Sequence, residues 1–388
     1  MTTERCEPPP PPSLAQPQAA YVHVPFCRHR CGYCDFTVLA GRDDLQAAYL
    51  EALALELQAA LPQPVEVRTI FIGGGTPTHL SCDDLRQLLD LLTQHLTLAP
   101  GGEWSVEANP HDLPDEKLHV LAAGGVTRLS LGVQSFDADV LAMLEREHSP
   151  AQARDAIARA ARMFDRVSCD LIFGVPGQSL ASWEATLAAA IASGVGHVSA
   201  YGLTIEKGTA FWSRRLHGRL HELEDEPQRA MQAAAMDRLA AAGLAQYELS
   251  NFARPGDRCR HNETYWAGGE FFGFGPGAAQ LLGGERRTNH RSATTYVRRV
   301  LAGRSPTMET ERIDPLTRAR ELIMLGLRRV EGLDTDHLAE QTGHTLETLA
   351  PGTLAAVVER GWVETERAWM RLTREGRFVA DEVIAAFF

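Results

Sequence analysis

Short apolar runs alternate with longer amphipathic stretches through the first half of the chain. The runs Tyr21–Pro25, Thr69–Ile72, Trp104–Glu107, Arg128–Val133, Val167–Ile172 and Val198–Leu203 have the length and composition of buried strands. Between them, Asp43–Leu61 places Leu45, Tyr49, Ala52, Leu53 and Leu57 at helical spacing, and Leu85–Leu96, Pro114–Ala123, Ala151–Phe164 and Leu180–Ser193 repeat the pattern. Strand and helix in regular succession predict an α/β fold with parallel strands joined by right-handed crossovers. Six units fall short of the eight that close a full barrel, so the expectation is an open, partial (β/α)6 barrel. Periodicity alone also accommodates a doubly wound sheet.

The polar and glycine-marked positions fall where the predicted strands end. Three cysteines follow the first, Gly73-Gly74-Gly75-Thr76-Pro77 follows the second, Glu107 closes the third and Gln134 follows the fourth. Asp170 lies on the fifth and Tyr201 on the sixth. In barrel folds that carboxyl-end face is where sites are built.

The pattern then changes. A helix is predicted at Gln228–Ala242, followed by a dense segment from Tyr247 to Gln280, and the region from Pro315 onward reads as three helices and a hairpin around Trp362-Val363-Glu364 and Trp369–Leu372. The expected organisation is a disordered proline-rich tail over 1–20, a barrel over 21–245, a linking segment over 246–310, and a mostly helical, winged-helix-like domain over 311–388. That last domain is expected to pack on the barrel rather than to bind DNA.

Charge narrows the partners. With 38 basic and 50 acidic side chains the net charge is −12, which disfavours a general affinity for nucleic acid or anionic membrane. The amino-terminal stretch has a proline run, Pro8–Pro12, but no basic segment followed by an apolar one, so a signal peptide is not expected and the expected location is the cytoplasm. Seven cysteines are too few and too uneven for a disulfide framework; three crowd between positions 27 and 34, the pattern of metal ligation in a reducing compartment.

Cys27-Arg-His-Arg-Cys31-Gly-Tyr-Cys34 has the spacing C-x3-C-x2-C. Three soft thiolates on one loop suit an iron–sulfur cubane with one iron left open, whereas structural zinc would need a fourth ligand, for which His29 is the local candidate. The glycine turn at 73–75 would let a ligand approach the backbone closely, with N–H groups free to bond it.

Tyr21-Val-His-Val-Pro-Phe-Cys27, with Tyr33 just before Cys34, resembles the radical S-adenosylmethionine (SAM) superfamily, in the subgroup that includes oxygen-independent coproporphyrinogen III oxidases and the HemW haem chaperones. The resemblance implies a [4Fe–4S] cluster on Cys27, Cys31 and Cys34. It also implies a SAM site formed by Tyr21, Tyr33, Gly74, Gly75, Thr76, Glu107 in Ser-Val-Glu-Ala-Asn-Pro, Gln134 in Leu-Gly-Val-Gln-Ser-Phe, Arg146 in Glu-Arg-Glu-His, and Asp170 in Cys-Asp-Leu-Ile-Phe-Gly. Carboxylate, amide and guanidinium groups are suitable partners for the ammonium, carboxylate and hydroxyls of SAM.

The string His261-Asn262-Glu-Thr-Tyr265-Trp266 resembles the haem-associated motif of the HemW group. It implies haem at His261, with Asn262, Tyr265 and Trp266 around it; read from the residues alone, a histidine bonded within a turn and aromatic rings filling core is the plainer assignment. Two departures turn the expectation away from the oxidases: Phe36 stands where they carry a fourth cysteine, and only a short proline-rich lead precedes the barrel. A third, Ala279 where a histidine is common, leaves the local contacts open. The expected function is a haem chaperone that delivers haem to an apo-haemoprotein, for instance a respiratory enzyme at the inner membrane, with a homodimer among the expected states. The alternatives are coproporphyrinogen III oxidation and another radical SAM reaction such as methylation.

Overall fold

A computed structural model describes residues 17–388. The proposed proline-rich tail falls largely outside them, but Ala19 and Ala20, expected to belong to that tail, are the fully buried start of the first strand.

Six parallel strands form the body: β1 (Ala19–Val24), β2 (Val65–Gly74), β3 (Leu96–Ala108), β4 (Arg128–Gln134), β5 (Arg166–Phe173) and β6 (His197–Gly202). Their order in the sheet is their order in the chain. The registers run Val24↔Gly74 between β1 and β2 and Ile72↔Val106 between β2 and β3, so the carboxyl ends of the strands lie side by side.

The connecting helices are α1 (Gln46–Ala60), α2 (Cys82–His95), α3 (Asp115–Ala123), α4 (Pro150–Ala160) and α5 (Leu180–Ala192). Their starts are chemically marked. Ser81 accepts the Asp84 N–H at α2, and Ser149 with Gln152 forms a reciprocal capping box at α4. One face of each strand is buried against these helices: Val22, Ile70, Ile72, Val106, Leu129, Leu131 and Leu171 meet Leu53, Leu57, Leu88, Leu92 and Leu187 in one continuous core. Truncating any of these leucines to alanine is expected to cost about 2–5 kcal/mol.

Segment 246–310, expected to be a linker, is instead built into the sheet. β7 (Ala245–Gln246) and β8 (Asn251–Ala253) add antiparallel strands beyond β6, while β9 (Phe271–Phe274) pairs parallel with β1 on the opposite side. β10 (Ala279–Leu282), β11 (Glu285–Asn289) and β12 (Thr307–Arg312) continue outward to give twelve strands in one sheet. Buried Glu56 on α1 secures this extension, accepting hydrogen bonds from Gly275 N at 2.9 Å, Asn289 Nδ2 at 2.6 Å and the Tyr296 hydroxyl at 2.5 Å. Short strands with weak alternation give little periodic signal, which is why their pairing was invisible in the sequence.

Helices of the chain after β6 include α6 (Asp225–Ala241), α7 (Arg260–Trp266) and α8 (Pro315–Arg328). The carboxyl-terminal region from α8 onward has its own core, including Ile323, Leu338, Val357, Met370 and Val383. The expected hairpin is present as Val363–Glu366 against Trp369–Leu372, turning at Arg367 with φ 54°, and a two-residue strand, Leu333–Asp334, completes a three-stranded sheet. Backbone bonds from Leu249 N to Arg328 O and from Val330 N to Tyr247 O, both 3.0 Å, join this region to the barrel. Among the described residues no helix is long and apolar enough to cross a membrane.

Candidate functional site

A cavity of about 1070 Å³ occupies the concave face of the sheet, at the upper end of what a single small ligand needs. It reaches from the cysteine loop at the carboxyl ends of the strands to α7 and α8.

The cysteine loop leaves β1 at Val24 and returns to α1. Its turn is closed by Cys34 N donating to Cys31 O at 3.1 Å. Cys27, Cys31 and Cys34 are all half-buried and line the cavity. Two polar groups face the sulfurs: Thr76 Oγ1 lies 3.6 Å from Cys27 Sγ, and Arg146 Nη1 donates to Cys31 Sγ at 3.7 Å. Burial pushes the Cys27 thiol up to about 12, opposed by Thr76, so the free loop keeps that sulfur protonated. A cationic group is needed to draw the thiolate out. Among the described residues no three His, Cys, Asp or Glu side chains converge on the position of a single metal ion. Three thiols open to a large cavity, with a hydroxyl and a guanidinium directed at them, are a donor set suited to an iron–sulfur cluster.

The glycine turn is fastened, not free. Gly75 N donates to Val24 O at 2.8 Å, Thr76 N to Phe26 O at 2.7 Å, and Gly74 N to Glu107 Oε2 at 3.0 Å. The expectation that these N–H groups await a ligand is therefore corrected. The glycines serve close packing: Gly74 has φ 107°, and a Cβ there would lie 2.4 Å from the His23 ring, while one on Gly75 would lie 2.6 Å from Phe26 O. The turn fixes the cysteine loop against β2.

Two carboxylates stand below it. Glu107 is raised to about 7, by burial first and then by neighbouring Asp170, against the Gly74 N–H. Asp170 is also raised by burial, although it accepts from Ser199 Oγ at 2.7 Å and Ser130 Oγ at 2.9 Å. Two adjacent carboxyls that resist ionising together provide a place for a cation. Gln134 sits at a break in the β4–β5 register with φ 64°, a conformation unusual for a residue with a Cβ. Arg146 donates to Gly132 O at 2.8 Å and to Asn109 Oδ1, and its buried Nε has no partner. Tyr33 packs edge-on against Phe211, and Tyr21 pairs with His23 Nδ1 at 3.0 Å. All nine residues expected at the SAM site line this one cavity. Asn109, Ser130 and Ser199 join them; polar residues spaced two apart on otherwise apolar strands were the signal for the two serines.

The other end is built on a buried ion pair. Arg128 Nε lies 3.1 Å from Glu103 Oε2, and the same guanidinium donates to Ser168 Oγ, Asp257 O and Arg258 O. Glu103 Oε1 in turn accepts the His261 N–H at 3.2 Å and faces the Cys259 thiol at 3.6 Å. These bonds hold the start of α7 under the barrel. The His261 ring is almost fully buried, stacked on Phe71 with centroids 5.1 Å apart. Nδ1 is 2.9 Å from Thr69 Oγ1 and Nε2 is 2.8 Å from the Tyr265 hydroxyl, so both nitrogens are engaged, as in the plainer assignment. His261, Asn262 and Tyr265 line the cavity. Trp266 points elsewhere: its ring lies under Arg328 at 5.0 Å. Thr69 and Gly74 are five residues apart on β2, which separates the two ends by about 16 Å at a rise of roughly 3.3 Å per residue.

A radical SAM superfamily model matches residues 21–190 and a HemN C-terminal domain model matches 313–379. The chain is 37% identical over 375 residues to the heme chaperone HemW of Bacillus subtilis, covering 95% of this chain and 99% of that protein. It is 39% identical over 380 residues to the heme chaperone HemW of Mycobacterium tuberculosis, covering 96% and 95%. Coproporphyrinogen III oxidase (HemN) from Escherichia coli superposes with a TM-score of 0.84 at 22% identity, over 96% of this chain and 90% of that one, a likeness of fold.

Proposed function

Because the chain belongs to the HemW family of radical SAM proteins, we propose that it is a haem chaperone: it holds haem in the cavity beside α7 and passes it to an apo-haemoprotein. The observation that carries the reading is the two-ended cavity, with a thiol and carboxyl end and, about 16 Å away by strand rise, an aromatic end floored by His261.

At the first end, Cys27, Cys31 and Cys34 would hold a [4Fe–4S] cluster, with Thr76 and Arg146 stabilising the thiolates. Glu107, Asp170, Gln134 and Arg146, with Tyr21 and Tyr33, would bind SAM, and Gly74, Gly75 and Thr76 would shape the wall beside it, their N–H groups being already bonded within the protein; when bound, the pair supplies one-electron chemistry at the sulfonium. Glu107 gives up its proton when an ammonium group arrives, because the new cation offsets both burial and Asp170.

At the second end, burial lowers the His261 ring to about 3, so it is neutral at physiological pH and does not lose a proton on ligating iron. Asn262, Tyr265 and the Phe71 face complete that wall. Recipient proteins, a homodimer, and a cytoplasmic protein meeting its recipient at the inner membrane belong to the same proposal. Phe36, in the place of the oxidases' fourth cysteine, lies exposed at the mouth.

The test is incubation of anaerobically reconstituted protein with SAM, reductant and coproporphyrinogen III, alongside a haem titration. Haem uptake without formation of protoporphyrinogen IX supports the reading; turnover to protoporphyrinogen at enzymatic rates overturns it.

A further inference from the structure

Helix α8 does more than begin the carboxyl-terminal region. Its first half meets β11, where Arg286 Nη2 lies 2.5 Å from Glu321 Oε1. Its end meets the segment before β8, through Leu249 N and Arg328 O. β11 and β8 lie towards opposite edges of the sheet. The helix therefore bridges the open side of the partial barrel, and Arg318, Glu321, Met324 and Leu325 on it line the cavity, with Arg318 bonded to Gly268 just beyond α7.

The lining here includes the apolar Phe271 and Leu281, paired across β9 and β10, with Met324 and Leu325, and two guanidinium groups that share one carboxylate. Arg318 donates to Gly268 O, while its Nη1 is buried, makes no hydrogen bond, and stands 3.8 Å from Glu321 Oε2. Arg286 is paired more fully, with Glu311 at 3.1 Å on its outer side. Glu270 also contributes negative charge near Arg318, after burial, which is the larger influence and lowers that group. A network whose only task was to fasten two domains would satisfy its buried donors, because an unbonded buried N–H is costly. Of the buried unbonded nitrogens on α8 among the described residues, Arg318 Nη1, Arg320 Nε and Arg328 Nε, only that of Arg318 belongs to a side chain on the cavity wall.

We propose that Arg318 and Arg286 receive the carboxylates of a porphyrin lying against the Phe271, Leu281 and Met324 wall, which makes α8 one side of the haem site. This rests on the haem-binding reading above and adds what recognises the porphyrin's acidic edge. Planar guanidinium groups match carboxylates with paired, charge-assisted hydrogen bonds, and a side chain that already leans on Glu321 can exchange that carboxylate for a ligand's.

The experiment compares ferric haem with its dimethyl ester, in which both carboxylates are blocked, on the full-length reconstituted protein. Wild type is expected to bind haem about tenfold more tightly than the ester. Arg318→Gln is expected to lose that preference while binding the ester as wild type does, and Arg318→Lys to restore part of it. Equal affinity of wild type for haem and ester overturns the proposal, as does a preference that survives in both Arg318→Gln and Arg286→Gln. Should Arg318→Gln fail to fold, Arg286→Gln carries the same comparison from the strand side. If wild type binds neither compound, the haem-chaperone reading itself fails, and this proposal with it; ester binding equal to haem leaves that reading standing and removes only this one.

Discussion

His261 and Tyr265, one helical turn apart on α7, are joined by a 2.8 Å contact between Nε2 and the phenol oxygen. Thr69 occupies the other ring nitrogen at 2.9 Å. The histidine is thus held in one orientation and protected in the absence of a ligand. Iron would have to displace one of these partners. If His261 ligates haem, Tyr265→Phe frees Nε2 and is expected to tighten haem binding a few-fold, one neutral hydrogen bond being worth about 1 kcal/mol. His261→Ala is expected to weaken binding tenfold or more. A Soret titration reads both, and unchanged affinity in both variants removes His261 from the site.

Glu107 makes stability depend on pH in a definite direction. Its folded value, about 7, is above the ordinary 4.5. Below 4.5 folded and unfolded chains both carry the proton and nothing is lost. As pH rises towards 7 only the unfolded chain ionises freely, so its contribution falls away, by on the order of 1–3 kcal/mol. Denaturant unfolding at pH 5 and pH 8 should therefore show Glu107→Gln gaining stability relative to wild type as pH rises. A constant difference would refute the assignment.

SAM binding should follow the opposite slope. Ammonium binding beside Glu107 expels the proton, so affinity is expected to rise by up to tenfold per unit below pH 7 and to fall again once the ammonium itself loses its proton, at about 8 for an ordinary α-amino group. Calorimetry on the reconstituted protein in two buffers of different ionisation heat would register the released proton. In Glu107→Gln the pH dependence should flatten.

The Arg128–Glu103 pair is a stability element of the barrel floor. Arg128→Met leaves the buried Glu103 carboxylate with only the more distant Arg260, 4.0 Å away, and frees the Asp257 and Arg258 carbonyls. A loss of about 3–5 kcal/mol is expected. Thermal unfolding measures it; a change under 1 kcal/mol would show that the pair is not holding α7 in place.

Much of this site was legible from residue order. The six parallel strands had long β-branched and leucine runs, and their carboxyl ends carried the cysteines, glycines and carboxylates that the structure brings together. The legible part ended where periodicity ended. Phe271–Phe274 and Asn251–Ala253 are too short to show alternation, so their joining opposite sides of the sheet could not be read. The glycine turn is legible, but the partners of its N–H groups are not, because Glu107, which Gly74 bonds, is 33 positions away in the chain and the others belong to the preceding strand and loop. Arg286 and Arg318 carried no local motif; only the path of α8 across the open barrel makes them neighbours.

Cys31→Ser tests the cluster end, where this second thiol of the loop is in contact with Arg146. Anaerobic reconstitution of this variant is expected to give no iron–sulfur absorbance while haem binding persists. An unaltered spectrum would show that the ligand set is wrong.

The most direct measurement is haem transfer. Reconstituted protein is loaded with one equivalent of haem, freed of excess, and mixed with an apo-haemoprotein whose absorbance reports the holo form. One haem per chain, passed on to give holo-protein in proportion to the amount loaded, is the expected result. Failure to retain a stoichiometric haem, or retention with no transfer to any apo-haemoprotein offered, would contradict the chaperone reading.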